Sequence, residues 1–209
     1  MLYIKSSKPV DIRKKLEKFA RICRDSPEYQ GHGWGMVYME NGQRKLYKTL
    51  IPIWKDNFDH FPDSNFLLVH ARSAFRDKDI VIENNMPFVD GKYCFAFNGE
   101  LHGVKMKMPG QTGAEKIFNC IKRFYTSDMD SAFKKAIAII LKRSTYIKAL
   151  NMMLTDGNTL YLASFFNERE EYFTMYKNAQ PGILQVCSQP LPNEINWTKI
   201  ENNSIEVYT

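Results

Sequence analysis

Three short clusters in this chain combine residue types that could bind or activate a substrate. The first, Gly31-His32-Gly33-Trp34-Gly35, puts three glycines into five residues at the entry to an apolar segment. Such a run either turns a helix into a strand, with Trp34 filling the core, or lets the backbone approach a ligand closely. The second, His70-Ala71-Arg72-Ser73-Ala74, ends a nearly continuous apolar stretch in an arginine. A guanidinium at the end of a buried strand needs an anionic partner, either a carboxylate of the protein or a substrate carboxylate held in a bidentate grip. The third, Phe97-Asn98-Gly99-Glu100-Leu101, sets a side-chain amide beside a glycine N–H, a suitable donor pair for an oxyanion. The Asn-Gly dipeptide is also a strong hairpin-turn signal, so both readings of Asn98 and Gly99 stand.

Other chemistries have no counterpart here. No GxxxxGK[ST], HExxH or GxSxG occurs, and the four histidines (His32, His60, His70, His102) lack metal-ligand spacing. Neither a metal nor an organic cofactor is expected. Cys23, Cys94, Cys120 and Cys187 stand far apart, as buried free thiols do. The longest apolar run, residues 136–141, is far short of a membrane span, and the start shows no export signal. A cytoplasmic protein without a membrane partner is expected. The net charge of +6 raises the question of nucleic acid. Its lysines and arginines are spread over residues 13–18, 105–107, 122–123 and 134–148, mostly on amphipathic helices whose solvated faces account for them. A nucleic-acid partner is therefore not the expected one, and a basic RNA- or DNA-associated domain stays only as a third reading behind the two given below.

The elements that must carry the clusters follow from periodicity. An apolar strand over 2–5 precedes a helix opened by Pro9, with Val10, Ile12, Leu16, Phe19, Ala20 and Cys23 on one face. Strands over 36–39 and 45–50 flank Asn41-Gly42, a type I′ signal. Further strands are read over 65–70 and 93–97, then helices over 112–125 and 128–142, the first with Thr112 and Glu115 in capping-box spacing. Strands over 149–155 and 159–165 flank Asp156-Gly157, and 172–176, 183–187 and 204–208 complete the set. Helices and strands come in separate runs, so an α+β fold of antiparallel sheets covered by helices is predicted. At 209 residues, 44% of them hydrophobic and 25% charged, one domain over 1–209 is expected.

Taken in order, the clusters resemble the class II glutamine amidotransferase domain of the N-terminal-nucleophile hydrolases, most closely its short stand-alone branch. The family pattern H-G-D-G-W-G is met by Gln30-Gly31-His32-Gly33-Trp34-Gly35, and H-x-R-x-A-[ST] by His70-Ala71-Arg72-Ser73-Ala74-Phe75. N-T-H-P-F falls on Asn84-Asn85-Met86-Pro87-Phe88 and H-N-G-x-[IL] on Phe97-Asn98-Gly99-Glu100-Leu101. T-D-[ST]-E falls on Thr112-Gly113-Ala114-Glu115 and the late S-E-P-L on Ser188-Gln189-Pro190-Leu191. Residues 150–157 are similar to the family's strand-turn before its L-Y-A. The resemblance implies a four-layer αββα sandwich of two antiparallel sheets. It also implies attack by an N-terminal cysteine on the side-chain amide of glutamine, with that residue's α-amine as base. Arg72 would grip the substrate α-carboxylate, with Ser73, Trp34 and Glu115 lining the substrate, and Asn98 and Gly99 would form the oxyanion hole.

Several positions depart from that pattern. Residue 2 is leucine, no cysteine precedes Cys23, and the family's amino-group-binding aspartate falls at Gly113. The Ser/Thr that closes the arginine motif falls at Phe75, and the histidine before Asn-Gly at Phe97. Aligning the family's small-polar pair on Ser6-Ser7 puts its cysteine about two residues before Met1, so a native start of Met-Cys-Arg-Met-Leu-Tyr is expected. Two functions follow. One is an amidohydrolase acting on glutamine or a γ-glutamyl amide through that upstream cysteine, with any released ammonia passing to a separate partner protein. The other is a catalytically inactive member that binds a carboxylate metabolite or a protein partner.

Overall fold

The computed structural model describes residues 1–74 and 79–209. Strand β1 (Leu2–Val10) carries Pro9 inside it, so the helix expected to open there starts later. Asp11 caps that helix: its carboxylate accepts the backbone N–H groups of Arg13 and Lys14 at 3.1 and 3.4 Å. Helix α1 (Ile12–Arg24) is followed by β2 (Trp34–Glu40), β3 (Gln43–Thr49), β4 (Ser64–Ala71), β5 (Phe88–Asp90) and β6 (Tyr93–His102). Helices α2 (Gly113–Phe124) and α3 (Met129–Arg143) then precede β7 (Tyr146–Thr155) and β8 (Leu160–Ser164). A single turn, α4 (Glu170–Phe173), leads to β9 (Tyr176–Gln180), β10 (Ile183–Cys187), β11 (Thr198–Lys199) and β12 (Ser204–Tyr208).

Two compact units result: residues 1–87 with 175–199, and residues 88–174 with 200–209. The first holds a seven-stranded antiparallel sheet in the order β11-β9-β10-β1-β4-β2-β3. Ile12, Leu16, Phe19, Ala20 and Cys23 of α1 pack on one face of it, against Leu2, Ile4, Trp34, Met36, Leu67 and Val69. Burying each large aliphatic side chain contributes about 1.5–3 kcal/mol, so this stripe holds α1 to the sheet.

The second unit holds a five-stranded antiparallel sheet in the order β12-β8-β7-β6-β5. Phe95 of β6 stacks on Phe118 of α2 at 5.2 Å between ring centroids, and Tyr161 of β8 meets Phe133 of α3 at 6.0 Å. Phe95 pairs with Leu154 and Leu154 with Tyr161, so these residues mark the helix-covered face. Ala96, Asn98, Asn151, Met153 and Leu162 alternate with them and lie on the opposite face.

Two expectations need correction. Residues 172–176 are not one strand: Arg169 takes a left-handed conformation, the turn of α4 follows, and the strand begins only at Tyr176. The aromatics that read as strand there pack instead as a satellite cluster, with Phe173 and Tyr172 on Ala149 and Phe166. The Asn98-Gly99 pair is not a hairpin turn. It lies mid-strand in β6, which continues to His102, while Asn41-Gly42 does form a turn with positive φ at both residues.

Candidate functional site

The glycine cluster and the arginine cluster meet at one end of the seven-stranded sheet. Trp34 pairs with Ala71 and Gly35 with His70. Beyond the ladder the Arg72 N–H donates to the Gly33 carbonyl at 2.9 Å, and the His32 N–H donates to the Arg72 carbonyl at 3.1 Å. The Ala74 N–H donates to His32 Nδ1 at 2.9 Å. Gly33 has a φ of +99°, and a Cβ there would run into the Asn85 amide nitrogen and the Thr49 carbonyl oxygen. The glycine is needed because Asn85 passes directly over the backbone.

Arg72 is 7% exposed. Its Nη2 donates to the Asp79 carbonyl at 2.9 Å, and its Nη1 to the Val81 carbonyl and Asn85 Oδ1, each at 3.4 Å. Asn85 is wholly buried and its Nδ2 donates to the Thr49 carbonyl at 2.8 Å. Burial pulls the guanidinium below its ordinary pKa, and the Asp79 carboxylate partly opposes this. Among the described residues no carboxylate pairs with it, so its local partners are neutral acceptors. A guanidinium has five N–H donors. Three bonds are made to the described residues, which among these leaves N–H groups for an external anion. Ser73, next in sequence, is exposed, and Phe75 lies outside the described residues.

Trp34 is fully buried in the core of this unit. Its Nε1 donates to Asp56 Oδ2 at 2.9 Å, the Tyr47 hydroxyl donates to the same oxygen at 2.8 Å, and Phe58 and Phe61 pack edge-on to its ring. The corner-and-core reading of this tryptophan therefore describes its position. Burial first, and then the Asp56 carboxylate, push the Tyr47 phenol up to about 12. The folded state thus holds this proton more tightly than the unfolded chain does. The resulting stability is complete below the ordinary tyrosine value near 10 and is lost as pH rises through about 12. Urea midpoints measured from pH 9 to 12 are expected to fall less steeply in Tyr47→Phe than in the parent.

In the second unit, Asn98 and Gly99 occupy the middle of β6. The Leu150 N–H donates to the Phe165 carbonyl at 2.7 Å, away from β6. The Gly99–Leu150 pair is therefore the non-hydrogen-bonded kind, and the Gly99 N–H faces the other edge of β6. Strand β5 covers that edge only at residues 93–95. The half-buried Asn98 amide has no hydrogen-bond partner among the described residues either. Two adjacent donors are thus available to a ligand.

Searches by sequence return no match to any family model and no similar curated protein. Solved structures do match. A predicted glutamine amidotransferase from Pseudomonas aeruginosa aligns over 99% of this chain and 96% of its own, with a TM-score of 0.62 at 14% identity. A glutamine aminotransferase class-II domain protein from Silicibacter pomeroyi aligns over 99% and 93%, with a TM-score of 0.63 at 18% identity. The fold is that of a class II glutamine amidotransferase domain. The glutamine phosphoribosylpyrophosphate amidotransferase of B. subtilis, solved with ADP and GMP, aligns with a TM-score of 0.68 at 12% identity. That match takes in 99% of this chain but only 48% of the longer protein. The α+β expectation of two antiparallel sheets with helices is met.

Within this amidotransferase fold, the remaining expected residues sit as follows. Glu115 is half-buried in the first turn of α2, where its carboxylate accepts the Gln111 N–H at 2.6 Å and its own N–H donates to Thr112 Oγ1 at 3.1 Å. This is helix capping, and α2 covers the sheet face opposite to the one bearing Asn98. Gly113, at the position of the family aspartate, borders open space, and a Cβ there would touch nothing. Gly113→Asp should therefore fit. It removes a helix-start glycine and places a carboxylate at the helix N-terminus, which is expected to raise stability by about 1 kcal/mol in thermal denaturation. Cys23 is buried in α1, and burial pushes its thiol up to about 12, so it offers no thiolate. Among the described residues no helix is long and apolar enough to cross a membrane, and no group of His, Cys, Asp and Glu could hold a metal.

Asn85 and Asp56 are not singled out by sequence reasoning. Asn85 lies in the Asn-Met-Pro-Phe stretch that the family resemblance quotes, so the signal is present without its role. Nothing in the residues around Asp56 announces that it receives both Trp34 and Tyr47.

Proposed function

We propose that this chain is the amide-hydrolysing domain of a glutamine amidotransferase-like enzyme, acting on glutamine or a γ-glutamyl amide. The observation that carries the reading is the Asn98–Gly99 pair, a side-chain amide and a backbone N–H adjacent in mid-strand and both without an acceptor among the described residues. Such donors stabilise the oxyanion of a tetrahedral intermediate, and losing one costs about 10²–10³ in rate. Arg72 anchors the substrate carboxylate through the N–H groups left unused among the described residues, and exposed Ser73 borders that anchor. The nucleophile is a cysteine delivered by residues preceding Met1. Leu2 pairs with Val69, and a β1 strand extended by two residues in the same register would bring such a cysteine opposite Arg72, which supports this reading. Attack by its thiolate forms a C–S bond and releases ammonia, and water then hydrolyses the thioester to glutamate. A separate protein takes up the ammonia, or the reaction ends in hydrolysis.

Gly113 and the buried Cys23 favour a second reading, a carboxylate-binding member without turnover. The test compares the chain as given with one extended by Cys-Arg before Met1 and freed of its initiator methionine. Ammonia and glutamate release are assayed from glutamine and several γ-glutamyl amides. Turnover only in the extended form supports the amidohydrolase. Silence from both forms, with glutamate still bound in calorimetry, establishes the binding protein instead.

A further inference from the structure

One row of side chains across the five-stranded sheet is polar where its neighbours are apolar. Asn98 on β6 stands opposite Asn151 on β7. Met152 pairs with Ala163, and the Ala149–Phe166 bridge continues the same register, so Asn151 stands opposite Ser164 on β8. Opposite residues point to the same face, here the one away from α2 and α3. Ala96, Met153 and Leu162 flank the row on that face and are buried. Asn151 is 1% exposed and Ser164 0%.

The Asn151 Nδ2 donates to the Phe173 carbonyl at 2.6 Å, which settles which end of that amide is which. Its Oδ1 is buried without a hydrogen-bond partner, and so is the Ser164 Oγ. Buried polar atoms are nearly always satisfied, so two such atoms in adjacent register beside an unengaged amide point to a ligand. Directly opposite Cβ atoms lie about 4.5–5.5 Å apart, so Asn98 and Ser164 stand about 9–11 Å apart on either side of Asn151, and a small molecule above Asn151 meets both through the reach of their side chains.

We propose that Asn98, Asn151 and Ser164 bind a single water molecule that sets the orientation of the Asn98 amide. Asn151 Oδ1 only accepts, so it takes one hydrogen of the water. Ser164 donates its hydroxyl hydrogen to the water oxygen. The second hydrogen of the water goes to Asn98 Oδ1, which leaves Asn98 Nδ2 as the outward donor. A flipped Asn98 would instead present its oxygen to a developing oxyanion and repel it. Asn151 and Ser164 are thus positioning residues. Their effect on rate rests on the amide-hydrolysis reading, whereas the water site itself does not.

The closing experiment uses Ser164→Ala and, as a second variant, Asn151→Leu. Cross-relaxation between bound water and the Asn98 side-chain amide is recorded by NMR on the chain as given. Wild type is expected to show a long-lived water at Asn98, and both variants are expected to lose it, with the two Asn98 amide protons shifting. In the Cys-Arg extended form, kcat should fall about 10-fold or more with KM unchanged, approaching the loss of an oxyanion donor. No water contact at Asn98 in wild type, or an Asn98 amide unaltered in both variants, overturns the proposal. A water site lost as expected without ammonia release from any form supports the subsite and removes the amide-hydrolysis reading alone.

Discussion

Gly99→Ala is expected to destabilise the protein by about 3 kcal/mol, the upper range for forcing volume into a packed site. A Cβ at this position falls against the carbonyl oxygen of Ala149, with the carbonyl carbon of the same residue next nearest at 2.5 Å. Both atoms are backbone of β7, so no side chain can swing aside. Relief requires β6 to move off β7, yet the ladder is registered on both sides of the point, from Cys94–Thr155 to Glu100–Ala149. For a chain of this size the melting midpoint should drop by roughly 6–12 °C. Asn98→Ala is the control. Its half-buried amide has no partner among the described residues, so stability should change by less than about 1 kcal/mol while the proposed oxyanion donor is lost. Chemical denaturation of both variants separates the roles. A Gly99→Ala protein as stable as its parent would falsify the close strand approach.

The same dipeptide shows where sequence reasoning reaches and where it stops. Asn41-Gly42 and Asp156-Gly157 read as strand-joining turns, and each joins a pair of adjacent antiparallel strands. Asn98-Gly99 has the same local chemistry but sits inside a strand, because its pairing is fixed by β7, more than fifty residues later in the chain. Tertiary pairing overrides turn propensity there. The three long helices are legible because each carries an apolar stripe and an N-cap: Asp11, Thr112 and Asp128. Residues 172–176 mislead because Tyr and Phe favour strands in general, whereas their burial here is against Phe166 and Ala149. The candidate site is legible in its residue types but not in its partners. Arg72 announces a need for acceptors, and which acceptors depends on how residues 79–85 fold back over Thr49 and Gly33. One missed signal is readable: Asn151 is a lone amide within an apolar strand, and such a residue has to be matched.

Arg72→Met is expected to loosen residues 79–85 before it unfolds anything else. Methionine keeps an apolar stem in the buried site and removes every donor, so the substitution isolates the hydrogen bonds. Each bond from a charged donor is worth about 1.5–3 kcal/mol, and two of the three here are long, which puts their sum near 3 kcal/mol. The loss falls locally. The Asn84 N–H donates to the Val81 carbonyl at 3.2 Å and the Asn85 N–H to the Ile82 carbonyl at 3.1 Å, and both reside in the segment that Arg72 holds. Their hydrogen exchange should quicken about 100-fold, since a factor of ten corresponds to about 1.4 kcal/mol, while amides of β1 and β4 stay protected. Arg72→Lys should recover less than half of the protection, because one ammonium cannot reach three separated acceptors at once. The same pair of variants weighs the ligand role. If Arg72 also anchors a carboxylate, glutamate binding disappears in Arg72→Met and survives weakly in Arg72→Lys, where a positive charge remains. Exchange at Asn84 and Asn85 that is unchanged in Arg72→Met would show that the segment is held by other contacts, and the guanidinium would then be left with the anion as its main partner.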